Sequence, residues 1–199
     1  MRCPSPIQYE KEIQLAIFAS GTGSNARKIM EYFQDHPEIA VGLVVSNRKK
    51  QVFLKLLNRS AFLPTSYSGS HFTNNAKSWI RCQNMVLTTL PWPVFWLIPA
   101  YLIEEFPDKM VNIHPALLPK YGGKGMYGHH VHEAVKAAGE TESGITIHLV
   151  NAKYDEGRTL FQASCPINPE DDPDTIAANV LALEHANYPR VIEEWMLAD

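Results

Sequence analysis

The chain has 199 residues, enough for one ordinary domain with a real core and cramped for two. Apolar residues make up 45% and charged residues 20%, with 18 basic and 21 acidic side chains and a formal charge of −3, a globular balance that argues against a disordered chain, a nucleic-acid coat and a polybasic membrane anchor. No apolar run reaches the length of a membrane span, residues 1–12 are too polar for a secretory signal, and the widely spaced Cys3, Cys82 and Cys165 form neither a zinc pattern nor a disulfide framework, so a reducing cytoplasm is expected.

Ile13–Ala19 is a short apolar run that tolerates burial on both faces, as a central parallel strand requires. It stops at Ser20-Gly21-Thr22-Gly23-Ser24-Asn25, and a helical pattern follows to about residue 35. His36-Pro37 ends that helix, since proline restricts the residue before it, and 40–46 reads as a second strand. The carboxyl edge of such a sheet is the default place for a ligand. Residues 47–95 yield no clear element. After them, 96–106 reads as a helix with Pro99 in its first turn, 110–113 as a short strand ending at His114-Pro115, and 116–128 as a glycine-rich loop. A helix over 129–138 is closed by Gly139. Strands are predicted over 144–150 and 159–165, joined by a turn at 151–157. Asp172-Pro173 then opens a long helix to about residue 195, with Asp as cap, Pro in the first turn, and Ile176, Val180, Leu183, Val191 and Trp195 along one stripe.

The segment 48–95 holds no Asp or Glu, whereas the other 151 residues hold all 21, a density at which about seven acids were due in the window. It carries seven Lys or Arg and two of the four tryptophans, Trp79 and Trp92. The bland explanation is chance or a basic surface patch; the sharper one is a reading frame that shifts and later recovers. Read from its third base, the coding sequence of Pro91-Trp92-Pro93-Val94-Phe95-Trp96 permits Leu-Ala-Gly-Phe-Leu, an apolar strand end. The Pro-Trp-Pro as it stands is poor strand material, because proline donates no ladder bond. The gene sequence across 47–97 decides between them.

Three places carry residues suited to chemistry. The turn at Gly21-x-Gly23-Ser24-Asn25 offers backbone N–H groups at a helix start, a nest for a phosphate, or else a plain tight turn with a cap. With Ala26 where a dinucleotide fingerprint has glycine, a single phosphate suits it better than NAD. Asn112-x-His114 at a strand end places an amide and an imidazole on one side; Asn donates to a developing oxyanion and His donates or shuttles a proton, unless the pair is a cap and a packed histidine. Asp155-Glu156-Gly157 supplies a carboxylate able to orient an imidazole, or an ordinary hairpin turn. Of His129, His130 and His132 only the first and last share a helix face, and surface or loop-packing histidines are a better reading than a metal cluster. His148 either faces the cleft or packs, Glu184 and His185 are candidates for ligand contact and support, and Cys165 reads as buried packing.

The segments Ile17-Phe18-Ala19-Ser20-Gly21-Thr22-Gly23-Ser24-Asn25, Asn112-Ile113-His114-Pro115-Ala116-Leu117-Leu118-Pro119-Lys120-Tyr121, Ser143-Gly144-Ile145-Thr146-Ile147-His148, Tyr154-Asp155-Glu156-Gly157 and Glu184-His185-Ala186-Asn187-Tyr188-Pro189 resemble those of the phosphoribosylglycinamide formyltransferases, the folate-dependent enzymes of purine synthesis. The resemblance implies an α/β fold, a Rossmann-like, mostly parallel twisted sheet flanked by helices, in a single domain with a nucleotide- and phosphate-binding half (1–95) and a catalytic and folate-binding half (96–199). It implies glycinamide ribonucleotide and 10-formyltetrahydrofolate as substrates and direct transfer with no metal and no acyl-enzyme. Asn112, His114 and Asp155 match the catalytic trio. Gly21, Thr22, Gly23, Ser24 and Asn25 cover the phosphate loop, and Glu184 matches a ribonucleotide contact. Phe95, Trp96, Leu97 and Ile98, with Asn112 and Val150, Asn151, Ala152, Lys153, Tyr154 and Asp155, match stretches that line the folate. The family usually has Gly where Glu156 stands, and the helix, the strand before the folate pocket and the basic residue near the ribonucleotide that the family has in this stretch do not carry over residue by residue to 48–95. Other readings are a formyltransferase acting on a sugar amine or an aminoacyl-tRNA, the latter disfavoured by size and charge, a nucleotide-binding module, or a product weakened by the altered segment. No nucleic-acid or membrane partner is expected, and oligomeric state is not legible.

Overall fold

The structure, a computed structural model, describes residues 13–19, 22–46, 85–89 and 100–198. The apolar run that opens it, β1 (Ile13–Ala19), is buried from Gln14 to Ala19 and has a strand on either side. β2 (Ile39–Ser46) and β3 (Met85–Thr89) are those parallel neighbours, and β4 (Met110–His114) continues parallel beside β3. β5 (Glu142–Leu149) and β6 (Thr159–Pro166) add an antiparallel hairpin, giving a six-stranded sheet in the order β2-β1-β3-β4-β5-β6. Among the described residues the helices are α1 (Ser24–Phe33), α2 (Ala100–Glu105), α3 (His129–Ala137) and α4 (Pro173–Leu197). This is the α/β, mostly parallel architecture the sequence predicts.

Some elements differ from expectation. Within the segment that gave no clear element, Met85–Thr89 forms a strand in the middle of the sheet, ending before Pro91-Trp92-Pro93. The rest of 48–95 lies outside the described residues, as do 96–99 of the predicted 96–106 helix, which is observed over Ala100–Glu105. The altered-frame reading therefore falls largely outside the described residues, together with Cys3 and Cys82.

The sheet's two faces separate core from site by simple alternation. Val111 and Ile113 of β4 and Ile145, Ile147 and Leu149 of β5 join one apolar cluster with Leu15 and Ile17 of β1, Ile29 and Phe33 of α1, and Ile176, Val180, Val191 and Ile192 of α4. The intervening Asn112, His114, Thr146 and His148 share the other face, paired as Asn112 with His148 and His114 with Thr146. α4 starts as predicted: Asp172 Oδ1 accepts from the Thr175 N–H at 2.8 Å, with Pro173 in the first turn. Its buried stripe also takes in Glu184 and Tyr188, a polar interruption absent from the predicted set.

Gly157 shows why the turn after β5 needs glycine. A Cβ there would stand 1.7 Å from the Leu149 carbonyl oxygen and 2.7 Å from its carbon, backbone atoms that cannot yield alone. Gly157→Ala is expected to cost roughly 1–3 kcal/mol through forced backbone shift, read as a lower denaturation midpoint. An unchanged midpoint would show that the turn relaxes freely.

Candidate active site

β1 and β4 both run parallel to β3 between them, so their carboxyl ends open on one edge of the sheet. One leads into the turn before α1 and the other ends at His114, so the two strongest candidate regions share that edge. Gly21 lies outside the described residues. Thr22 is exposed, and Gly23 takes a left-handed φ of 71° and serves as N-cap of α1 without any side-chain cap, so the first-turn N–H groups of Ser24 and Asn25 are those an anion would meet.

Asn25 and Glu184, 159 residues apart, meet inside the protein: Asn25 Nδ2 donates to Glu184 Oε2 at 2.6 Å. Burial pushes the Glu184 carboxyl up to about 7, against the lowering effect of that bond. Asn25 Oδ1 is buried with no partner among the described residues. One helical turn beyond Glu184, the Tyr188 hydroxyl donates to the Val111 carbonyl at 3.1 Å, next to Asn112. α4 thus ties the turn before α1 to the strand that carries the amide and the imidazole.

Asn112, His114 and Asp155 converge, and a fourth residue joins them. Asp155 sits in the turn between β5 and β6 with a left-handed φ of 54°, tolerable for Asp, and its Oδ2 accepts from the Gly123 N–H at 2.8 Å. That oxygen is 3.7 Å from His114 Nδ1, while Oδ1 is 3.6 Å from His148 Nε2. Asn112 Nδ2 lies 3.3 Å from the same His148 nitrogen. His114 Nε2 donates to the Tyr121 carbonyl at 2.7 Å, a carbonyl presented by a Tyr121 φ of 56°, which is uncommon for a bulky side chain and marks a held conformation.

These contacts set the charges. Burial pulls the His114 pKa below its ordinary value of 6.5, with His148 lowering it further and the Asp155 charge and the Tyr121 bond working the other way. For Asp155, burial acts to raise the pKa, but hydrogen bonding to His148, the His114 charge and the Gly123 amide outweigh it and hold the carboxyl below 3.8. At neutral pH the pair is therefore a neutral ring facing a carboxylate. With the Nε2 proton committed to Tyr121, the Nδ1 lone pair is the free edge of the ring.

The loop after His114 is pinned from β5 and β6. Thr146 Oγ1 donates to the Ala116 carbonyl at 2.7 Å and accepts from the Leu118 N–H at 2.9 Å, and Gln162 Nε2 donates to both Thr146 Oγ1 and the Leu118 carbonyl at 2.9 Å. Of the predicted folate-lining residues, Phe95, Trp96, Leu97 and Ile98 lie outside the described residues. Val150 docks its N–H on the Met110 carbonyl at 2.8 Å, and Asn151, Ala152, Lys153 and Tyr154 form an exposed turn leading to Asp155. Glu156 pairs with Lys153 at 3.2 Å.

His148, Tyr121 and Gly123 were not assigned from sequence; the signals were the alternation of β5 and the glycine-flanked Tyr121. The remaining histidines separate. His129 and His130 are exposed and face Glu133 within 3.6 and 3.2 Å. His132 is buried, so of the two readings, surface or packing, it takes the packing one, and burial, then the nearby His129 and His114, push it down to about 4. No group of side chains among the described residues is arranged to hold a metal ion. His185 is lowered chiefly by burial. Cys165 is only half-buried, packed against the main cluster, with burial raising its thiol. Among the described residues no helix is long and apolar enough to cross a membrane.

Residues 13–192 match the formyl transferase family. The chain is 36% identical over 187 residues to the chloroplastic phosphoribosylglycinamide formyltransferase of Arabidopsis thaliana, covering 90% of this chain and 64% of that protein, so it spans less than two thirds of this plant relative. It is 29% identical over 188 residues to the phosphoribosylglycinamide formyltransferase of Haemophilus influenzae, covering 90% and 85% of the two chains. The solved structure of the Coxiella burnetii phosphoribosylglycinamide formyltransferase superposes with a TM-score of 0.74 at 30% identity, covering 92% of this chain and 86% of that one.

Proposed function

The chain belongs to the formyl transferase family, and on that premise we propose that it moves the formyl group of 10-formyltetrahydrofolate onto the amine of glycinamide ribonucleotide, giving formylglycinamide ribonucleotide and tetrahydrofolate in purine synthesis. The observation that carries this reading is the gathering of Asn112, His114 and Asp155 on the sheet edge that also holds the 22–25 turn, linked through Asn25, Glu184 and Tyr188. The ribonucleotide phosphate takes the helix-start amides of the turn, with Glu184 accepting from ribose hydroxyls. The folate lies along the 150–155 turn. The first half of the chain supplies the phosphate grip and the second the chemistry, apart from Glu184, which reaches back from α4.

The amine attacks the formyl carbon, and negative charge grows on the formyl oxygen. An Asn112 N–H donates to that oxygen. The Nδ1 lone pair of neutral His114 takes the proton that the amine sheds, and the resulting imidazolium is stabilised by Asp155 3.7 Å away. Collapse of the tetrahedral intermediate breaks the bond to the folate nitrogen, which leaves with a proton returned from His114. The site needs no metal and forms no bond to the protein. A reducing, aqueous compartment suits the cysteine pattern; in plants the Arabidopsis relative is chloroplastic.

The acceptor role of His114 fixes a sign. Its ring is expected to titrate below 6.5, so the lone pair is available at neutral pH; proton NMR of the ring measures this, and a ring that stays protonated well above neutrality would be unable to take the proton. For the function itself, the full chain is incubated with 10-formyltetrahydrofolate and, in parallel, glycinamide ribonucleotide, free glycinamide, an amino sugar nucleotide and methionyl-tRNA. Formylation confined to the ribonucleotide is the expected result. Preference for a different amine would overturn the assignment.

A further inference from the structure

We propose that Glu140 is a positioning residue for the formyl transfer proposed above: through the Tyr121 hydroxyl it holds the backbone conformation whose carbonyl orients His114. Tyr121 has a φ of 56°, a left-handed conformation that a bulky residue keeps only where its surroundings enforce it. In that conformation its carbonyl accepts from His114 Nε2 at 2.7 Å. The same short segment donates the Gly123 N–H to Asp155 Oδ2 at 2.8 Å, so residues 121–123 hold both the imidazole and the carboxylate. The Tyr121 ring is held from the side of α3. It packs against the cluster of Ala116, Val131 and Val135, and its hydroxyl donates to Glu140 Oε1 at 2.9 Å. Lys120 Nζ reaches the same oxygen at 2.9 Å but is 68% exposed, so that surface pair adds charge more than direction.

Glu140 is itself a fixed point. α3 ends in a paired cap: Gly139, with a φ of 68°, donates its N–H to the Lys136 carbonyl at 3.0 Å, and the Glu140 N–H donates to the Val135 carbonyl at 3.4 Å. The carboxylate therefore hangs from the end of a helix and not from a free loop. Without it, Tyr121 can relax to a negative φ, and its carbonyl turns from His114. The Nε2 proton then loses this acceptor, and the ring is drawn to the tautomer whose Nδ1–H faces Asp155 Oδ2, 3.7 Å away. That tautomer puts a proton where the lone pair is needed to take one from the amine. The order of control runs from the end of α3 to the Tyr121 hydroxyl, from its backbone to the carbonyl, and from the carbonyl to the reacting nitrogen of His114.

The test uses the full chain with Glu140→Ala, Glu140→Gln, Tyr121→Phe and the double variant Tyr121→Phe/Glu140→Ala. Glu140→Ala and Tyr121→Phe are each expected to lower kcat about 10-fold by misplacing the base, with KM for both substrates near wild type. Glu140→Gln, whose side-chain oxygen still accepts from the Tyr121 hydroxyl, is expected to recover most of kcat. The double variant should be no slower than either single one, because both break the same bond. Losses that multiply in the double variant, a Gln variant no better than Ala, or wild-type kcat in both single variants would overturn the inference. Nitrogen-15 NMR of the His114 ring supplies a readout independent of turnover. An Nε2–H tautomer in wild type with a rise of the Nδ1–H form in Glu140→Ala supports the inference, and identical ring spectra in the two proteins contradict it. Failure of the wild-type chain to transfer formyl would instead count against the proposed reaction, and the ring spectra would still decide whether Glu140 positions His114.

Discussion

Asp155→Asn is expected to lower turnover about 10²–10³-fold, the scale of losing one preorganised electrostatic contact, while the folded structure persists. The substitution keeps size and shape. An Asn oxygen can still accept from the Gly123 N–H, which holds the turn, and its NH₂ group then stands where Oδ1 faced His148. Two effects follow. The imidazolium that forms at His114 loses the negative charge 3.7 Å from Nδ1, so proton uptake from the amine becomes harder. The new NH₂ group also replaces the carboxylate oxygen that stood 3.6 Å from His148 Nε2, so a charged contact becomes a neutral one. The rest of the proposed folate turn and the phosphate grip are untouched, so kcat should fall more than KM rises. Because the Asp155 pKa is held below 3.8, its ionised form contributes stability that is present above that value and lost as pH falls through the folded pKa; the variant's small stability deficit should therefore vanish in acid. Steady-state kinetics beside thermal melts measure both. Near-normal kcat in a folded Asp155→Asn protein would remove the carboxylate from the mechanism.

Glu184→Gln is expected to strengthen the fold and weaken the enzyme. Burial raises the Glu184 pKa from 4.5 to about 7. A raised folded-state pKa means that its contribution to stability is fully present below 4.5 and is lost as pH rises through about 7. Above that pH wild type carries a buried charge that Gln does not, a difference of roughly 3 kcal/mol at its limit. Gln also offers an N–H₂ group to Asn25 Oδ1, which lacks a partner among the described residues, while its oxygen keeps the bond from Asn25 Nδ2. The variant should melt higher than wild type above pH 7 and converge with it in acid. Loss of the carboxylate as acceptor for ribose hydroxyls is expected to raise KM for the ribonucleotide roughly tenfold or more, the scale of a charged hydrogen bond. Equal melting temperatures across the whole pH range would show that the carboxyl is not buried as described.

Such a trade of stability for binding would account for the carboxylate that interrupts the apolar stripe of α4, a stripe only partly legible in the sequence. Ile176, Val180 and Val191 follow helical spacing, but Glu184 is buried because of Asn25, a partner in a distant part of the chain. The same limit applies elsewhere. β1 and α4 were readable because apolar periodicity and a capping Asp are local signals. β3 was not, because five residues in an unusual segment become a strand only by filling the slot between β1 and β4. Asn112 and His114 stood out by alternation along one strand, whereas His148 needed the register that sets it opposite Asn112. The Tyr121 carbonyl depends on a left-handed backbone at a non-glycine residue, which composition does not announce.

A crystal structure of the full chain with glycinamide ribonucleotide and an unreactive 10-formyl-folate analogue tests the central claim most directly. The account predicts the phosphate on the amides of residues 22–25, the ribose against Glu184, and the formyl oxygen within hydrogen-bond reach of the Asn112 amide with the amine beside His114 Nδ1. A phosphate bound away from that turn, or a formyl group out of reach of both Asn112 and His114, would contradict it.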